Sequence, residues 1–150
     1  MKSKNLSEKI LKSVQSKGFK YIELPSVIET NHIVQRSGEN FRKFIFSFID
    51  QNGSELCLRP DLTIVSCLRY LENNLKSKEK KQKRKKKIFY SGQAYRKSQN
   101  KKDSIIRNQV GFEIIGSKDE KNDDKEIINT SLKSLKNLKY STGTLTIGNV

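Results

Sequence analysis

The sequence predicts an α/β domain, of the α+β kind, in which an antiparallel sheet is flanked by helices. Three observations predict it. Residues 87–116 read KIFYSGQAYRKSQNKKDSIIRNQVGFEIIG and hold two strand-like runs, Ile88–Arg96 and Ile105–Ile115, around a polar loop at Lys97–Ser104. That is the pattern of a long antiparallel hairpin. A second, shorter hairpin is written at Phe44–Leu58, where an Asp50-Gln51-Asn52-Gly53 turn joins two extended runs. Around the hairpins, apolar residues recur at helical spacing over 6–14, 62–71 and 127–138.

Taken in order, Leu6, Ile10, Leu11 and Val14 mark one face of a first helix, with Asn5 and Glu8 placed like a capping box and Gly18 placed to end it. Phe19–Leu24 predicts a short strand stopped by Pro25, and Val27-Ile28-Glu29 continues as extended or turning chain. In the shorter hairpin Phe44, Phe46 and Phe48 fall on one face; nothing basic is interleaved with them, so they read as core and not as a base-stacking platform. Pro60 breaks strand from helix, Asp61 is placed to cap the helix, and Leu62, Val65, Leu68 and Leu71 form its inward face. After the long hairpin, Ser117–Asn122 predicts a polar turn. Asp123 and Asp124 then open a helix with Ile127, Ile128, Leu132, Leu135 and Leu138 as its inward stripe, and Thr142–Ile147 starts another strand.

Bulk composition narrows the function classes. A chain of 150 residues makes a single domain over 1–150, and a hydrophobic fraction of 33% against 31% charged predicts a modest core under a very polar surface. No apolar run reaches membrane-spanning length and the N-terminus lacks the apolar centre of a signal peptide, so a cytoplasmic location and no membrane association are expected. The net charge of +15 is supplied mostly by lysine, which resembles a base-composition bias more than a recognition surface, and nucleic acid is not an expected partner. The run at 76–87, KSKEKKQKRKKK, carries nine basic residues; a solvated, mobile loop is the expectation, and a phosphate-binding arm is the functional alternative. Two cysteines, Cys57 and Cys67, and one histidine, His32, give no disulfide scaffold and no metal or cofactor site.

The chemistry is concentrated on the long hairpin. Side chains alternate along a strand, so Gln109, Gly111 and Glu113 share one face while Val110, Phe112 and Ile114 share the other, and Gly92, Ala94 and Arg96 share a face of the partner strand. If the two polar faces coincide, small residues beside a guanidinium leave room above the sheet for a ligand. Arg96 would serve an anion, and Gln109 with Glu113 an ammonium or polar group. That describes a zwitterion site. The competing reading is a solvated sheet face with glycines at bulges.

Gly92-Gln93-Ala94-Tyr95-Arg96 and Gln109-Val110-Gly111-Phe112-Glu113 resemble motif 2 of the class II aminoacyl-tRNA synthetases, in the form used by histidyl-tRNA synthetase and its relative, the regulatory subunit of ATP phosphoribosyltransferase. Leu58-Arg59-Pro60-Asp61-Leu62-Thr63 resembles the Leu-Arg-Pro-acid-x-Thr signature of both, and GFKYIELPSVIE resembles the dimer-forming motif 1, with Pro25 at the family's proline. The resemblance covers most of Leu6–Gly116. It implies a partial class II synthetase core, with histidine bound by Asp61, Thr63, Gln109 and Glu113 and a carboxylate or the ATP α-phosphate met by Arg96. It also implies self-association through the N-terminal helix and strand.

Departures from the synthetase pattern bear on catalysis. The family's Arg-x-Glu is here Arg96-Lys97-Ser98, its basic, aromatic stretch is Ser104-Ile105-Ile106, and its glutamate in the first signature is Asp61, one methylene shorter. Activation of an amino acid depends on cations around a phosphoryl-bearing transition state, so their loss implies a poor catalyst. The resemblance therefore implies a truncated or split regulatory subunit, not itself an enzyme, with no cofactor. Its partners would be the short-form ATP phosphoribosyltransferase catalytic subunit and histidine as feedback signal in histidine biosynthesis. The alternatives are a fragment of histidyl-tRNA synthetase and a basic RNA-binding remnant.

Overall fold

The computed structural model describes residues 2–76, 85–98, 100, 103–138, 143, 144 and 146. The elements run α1 (Lys2–Gln15), β1 (Lys20–Tyr21), β2 (Val27–Glu29), α2 (Thr30–Ser37), a 3-10 helix at Glu39–Phe44, β3 (Ser47–Ile49), β4 (Glu55–Leu58), α3 (Thr63–Lys76), β5 (Lys86–Tyr95), β6 (Ile106–Ile115) and α4 (Glu120–Asn137). They form two three-stranded sheets, ordered β1-β5-β6 and β2-β4-β3. The second is antiparallel throughout. The first is mixed, because β1 runs parallel to β5 while β5 and β6 make the long antiparallel hairpin that the sequence predicts.

Helices cover both faces of the first sheet. On one, Val14 of α1, Phe19 and Phe89 form a buried cluster against which Phe112, Ile114 and Ile127 of α4 pack. On the other, Leu62, just ahead of α3, and Val65 of α3 meet Leu24, Tyr90 and Ala94. Strand β5 is thus buried on both sides, which is why Ile88-Phe89-Tyr90 is apolar without interruption. A third cluster, Ile33, Ile45 and Cys57, sits under α2 on the second sheet. The two sheets are tied at Arg59, whose N–H donates to Ser26 O at 2.9 Å and whose carbonyl accepts from Tyr95 N at 3.0 Å.

Several local expectations are corrected. Helix α1 begins at Lys2, so Asn5 lies within it and not at its cap position; Gly18, at φ 80°, follows it in the left-handed conformation that glycine favours. The strand expected over Phe19–Leu24 is paired only at Lys20–Tyr21, with one further hydrogen bond from Ile22 N to Phe89 O. Val27–Glu29 is a strand in its own right. Phe44 ends the 3-10 helix, which breaks the expected stripe with Phe46 and Phe48: Ile45 is fully buried and Phe48 is 45% exposed. In α3, Tyr70 takes the inward place expected of Leu71, which is 54% exposed, because the buried line runs through Leu62, Ser66 and Tyr70 at four-residue spacing.

Helix α4 starts at Glu120 and is capped by Asp119, which accepts from Asn122 N, so neither Asp123 nor Asp124 opens it. Its buried positions are Asp123, Thr130 and Ser134, while Leu132 and Leu135 are exposed at 46% and 48%. Small residues let α4 approach α1, where Ser134 Oγ lies 3.4 Å from Ser13 Oγ. Of the basic run, 77–84 lies outside the described residues, as do 142, 145 and 147 of the strand expected at 142–147. Lys85 and Lys87 pair with Asp123 and Glu126 of α4, and Lys86 stands over the Tyr70 ring. No described helix is long and apolar enough to cross a membrane.

Candidate functional site

The register of the long hairpin decides which side chains share a face. Tyr90 lies opposite Gly111, Gly92 opposite Gln109, and Ile88 opposite Glu113, so the polar faces of β5 and β6 coincide. The start of α3 lies over this face, brought there by Arg59-Pro60-Asp61 at the end of β4.

The expected open room above the glycines is filled by the chain itself. A Cβ added at Gly111 would fall 2.5 Å from the Tyr90 ring, and one added at Gly92 would fall 2.5 Å from Arg59 Nη2. Arg59 is 6% exposed and donates to three backbone carbonyls, from Nε to Gln93 at 2.8 Å and from Nη1 to Leu24 at 2.5 Å and Pro25 at 3.0 Å. Burial pushes its guanidinium below the usual arginine range, and these carbonyls compensate the buried charge.

Two polar groupings result. In the first, Tyr90 Oη donates to Glu113 Oε1 at 2.7 Å and lies 3.2 Å from Thr63 Oγ1. Burial is the main cause that raises the Tyr90 phenol well above its ordinary value; Glu113 adds to the rise and Thr63 opposes it. In the second, Arg96 Nε donates to Pro60 O at 2.7 Å, its Nη2 is 3.8 Å from Asp61 Oδ2, and its guanidinium stands 5.4 Å from the centre of the Phe41 ring. Asp61 Oδ1 accepts from Ile64 N at 3.0 Å and so caps α3.

The five residues singled out by sequence therefore divide. Thr63 and Glu113 meet through Tyr90, Asp61 faces Arg96, and Gln109 is half-buried on the same sheet face, opposite Gly92. Sequence reasoning missed Tyr90 and Arg59. Strand alternation could have found Tyr90, two residues before Gly92, and the Arg-Pro-acid run contains Arg59. After Arg96, Ser98 Oγ donates to Asp103 Oδ2 at 2.9 Å. Among the described residues no group of three or more His, Cys, Asp or Glu could hold a metal ion.

The sequence model of the family described as Histidyl-tRNA synthetase matches residues 1–150. The chain belongs to the histidyl-tRNA synthetase family. Within it, the chain is similar to a histidine–tRNA ligase of Methanococcus maripaludis, at 32% identity over 91% of this chain and 32% of that protein. It is also similar to an ATP phosphoribosyltransferase regulatory subunit of Brucella ovis, at 27% identity over 77% of this chain and 28% of that protein. A solved ATP phosphoribosyltransferase regulatory subunit/histidyl-tRNA synthetase from Bacillus halodurans matches with a TM-score of 0.74 and 24% identity, over 92% of this chain and 34% of that one. The fold is that of class II aminoacyl-tRNA synthetase-like proteins. The chain spans about a third of the length of the curated relatives it matches.

Proposed function

We propose that this chain is the histidine-binding, non-catalytic part of an ATP phosphoribosyltransferase regulatory subunit. It would take histidine as feedback signal through Asp61, Thr63, Gln109 and Glu113 and associate with the short-form catalytic subunit. The observation that carries this reading is the Thr63–Tyr90–Glu113 chain, a half-buried, acceptor-bearing surface suited to an amino acid's ammonium group. Arg96 is engaged by Pro60 O and Asp61, and Ser98, at the place of the synthetase carboxylate, turns back to Asp103. Those engagements favour ligand retention over nucleotide chemistry.

Titration calorimetry with histidine tests the site. Heat from the wild-type chain, lost on Glu113→Gln, is the expected result; equal heats from both would remove the assignment. The second reading, a histidyl-tRNA synthetase fragment, is favoured by the 32% and 33% identities to two histidine–tRNA ligases over about nine-tenths of this chain. Histidine-dependent exchange of pyrophosphate into ATP by the chain would establish that reading. Recovery of a phosphoribosyltransferase catalytic subunit with the tagged chain would establish the first. Self-association through α1 and β1 is part of the same proposal, tested by sedimentation of the purified chain.

A further inference from the structure

Lys85, Lys86 and Lys87 end the basic run, which the histidine site does not use, and strand alternation sends them to opposite faces of the first sheet at the start of β5. On the α4 face, Lys85 pairs with Asp123 and Lys87 with Glu126. On the α3 face, Lys86 meets no carboxylate among the described residues, and its Nζ stands 5.5 Å from the centre of the Tyr70 ring. The fold thus matches the lysines of one face with acids and leaves the other face cationic.

Lys86 lines a cavity of about 670 Å³ between α3 and the β1–β5 pair. Ile22, Tyr70 and Ile88 make its walls apolar; with Lys85 and Lys87 committed to α4, its remaining cations are Lys20, Arg69 and Lys86. The register gathers them from three elements. Lys20 lies opposite Ile88, next but one to Lys86 along β5, and Arg69 precedes Tyr70 on α3. Among the described residues no Asp or Glu lines the cavity, and only Arg69 of the three cations has a carboxylate partner, Glu72 at 3.3 Å. Like charges held at one mouth repel, and a half-buried ammonium without a counter-ion carries a desolvation cost that a bound anion offsets. Apolar walls with a few convergent polar groups, in a volume of this size, are the usual form of a small-molecule site and give far more room than inorganic phosphate needs.

We propose that this cavity is a second binding site, for an organic phosphate with an apolar, ring-bearing body: Lys20, Arg69 and Lys86 hold the phosphate, and the body lies against Ile22, Tyr70 and Ile88. Three cations around one mouth suit a dianion better than a single carboxylate. The site is separate from the proposed histidine site, which meets α3 at its first residue, Thr63; this cavity meets the helix about two turns further on, at Arg69 and Tyr70. The inference therefore stands or falls independently of the histidine reading.

The test is amide NMR of the full chain titrated with 1-naphthyl phosphate, and separately with 1-naphthol and inorganic phosphate, at about 0.15 M salt, where plain surface attraction is screened. Naphthyl phosphate is expected to give saturable shifts centred on Lys20, Arg69 and Lys86. The neutral ring and the bare anion should each bind on the order of tenfold more weakly. Lys20→Glu and Lys86→Gln are each expected to weaken naphthyl phosphate on the order of tenfold, and such a loss in either folded variant supports the site. Shifts centred on Thr63 and Glu113 instead, unchanged affinity in both variants, or no saturable binding by the wild type overturns it. Inorganic phosphate or a single-stranded RNA oligomer that binds as tightly as the aryl phosphate also overturns it, because the apolar walls would then select nothing and the face would serve a polyanion. Circular dichroism melts identify a variant that fails to fold, and the other then carries the decision.

Discussion

The guanidinium of Arg59 occupies the volume that a side chain at Gly92 would need: an added Cβ would lie 2.5 Å from Nη2 and 3.2 Å from Leu62 Cδ2. Gly92 is therefore part of how the two sheets are joined. Gly92→Ala is expected to push Arg59 off its carbonyls and destabilise the chain by about 1–3 kcal/mol. Gly143→Ala meets nothing within 4 Å among the described residues and should stay within about 0.5 kcal/mol of wild type. Urea unfolding of the three proteins checks the contrast.

Arg59 itself holds Leu24, Pro25 and Gln93 through their carbonyls. Arg59→Met fills much of the volume but leaves buried acceptors without donors, at a cost of roughly 3 kcal/mol or more. Thermal unfolding followed by circular dichroism should show a lower midpoint. A midpoint unchanged from wild type would mean that these carbonyls find other donors.

Ile45 is fully exchanged for core contact, whereas Phe48, larger and more hydrophobic to the eye, is 45% exposed. Ile45→Ala should cost about 2–5 kcal/mol. Phe48→Ala should cost about 1 kcal/mol or less. The reverse order in denaturant midpoints would argue for the aromatic stripe that the sequence predicts.

The buried carboxylate of Asp123 is held below its ordinary range, first by Lys85 and then by Ser117. A group with a depressed folded pKa stabilises the fold above its unfolded value and loses that contribution as pH falls through the folded value. Asp123→Asn is thus expected to melt below wild type at pH 7. The two should converge as pH drops below about 4, the ordinary carboxylate range. Melting curves across that window check the sign.

Burial raises both thiols, so access separates them: Cys57 is buried, whereas Cys67 is exposed. Brief alkylation of the native chain should modify Cys67, with Cys57 reacting only after denaturation, as peptide mass spectrometry would show. Modification of both at equal rates would mean that the α2 layer opens readily.

What the sequence made legible follows from local rules. The long hairpin and its faces came from alternation, and the second hairpin came from an Asp-Gln-Asn-Gly turn whose Gly53 sits at φ 82°. The capping role of Asp61 came from its place after Pro60, ahead of α3. Helix faces were less legible. The apolar residues of α4 suggest a leucine stripe, but its buried face holds Thr130 and Ser134, with Ser134 beside Ser13 of α1 and Ile127 against the Val14 cluster, and Leu132 and Leu135 are exposed. Periodicity gives several candidate faces in a short amphipathic helix, and only the partner chooses among them.

The candidate site shows the same division. The sequence by itself determined the family, the two hairpins, the helices α1, α3 and α4, and the residues that strand alternation places on one side of the long hairpin. Only the tertiary structure decided that Arg59 and Tyr90 fill the space over the two glycines, that Arg96 turns to Pro60 and Asp61, and that Thr63 reaches Glu113 through a phenol. The reason is physical. Alternation and turn chemistry act between near neighbours in the chain, whereas the filling of a volume and the direction of a buried hydrogen bond depend on residues brought together from 21 to 36 positions apart.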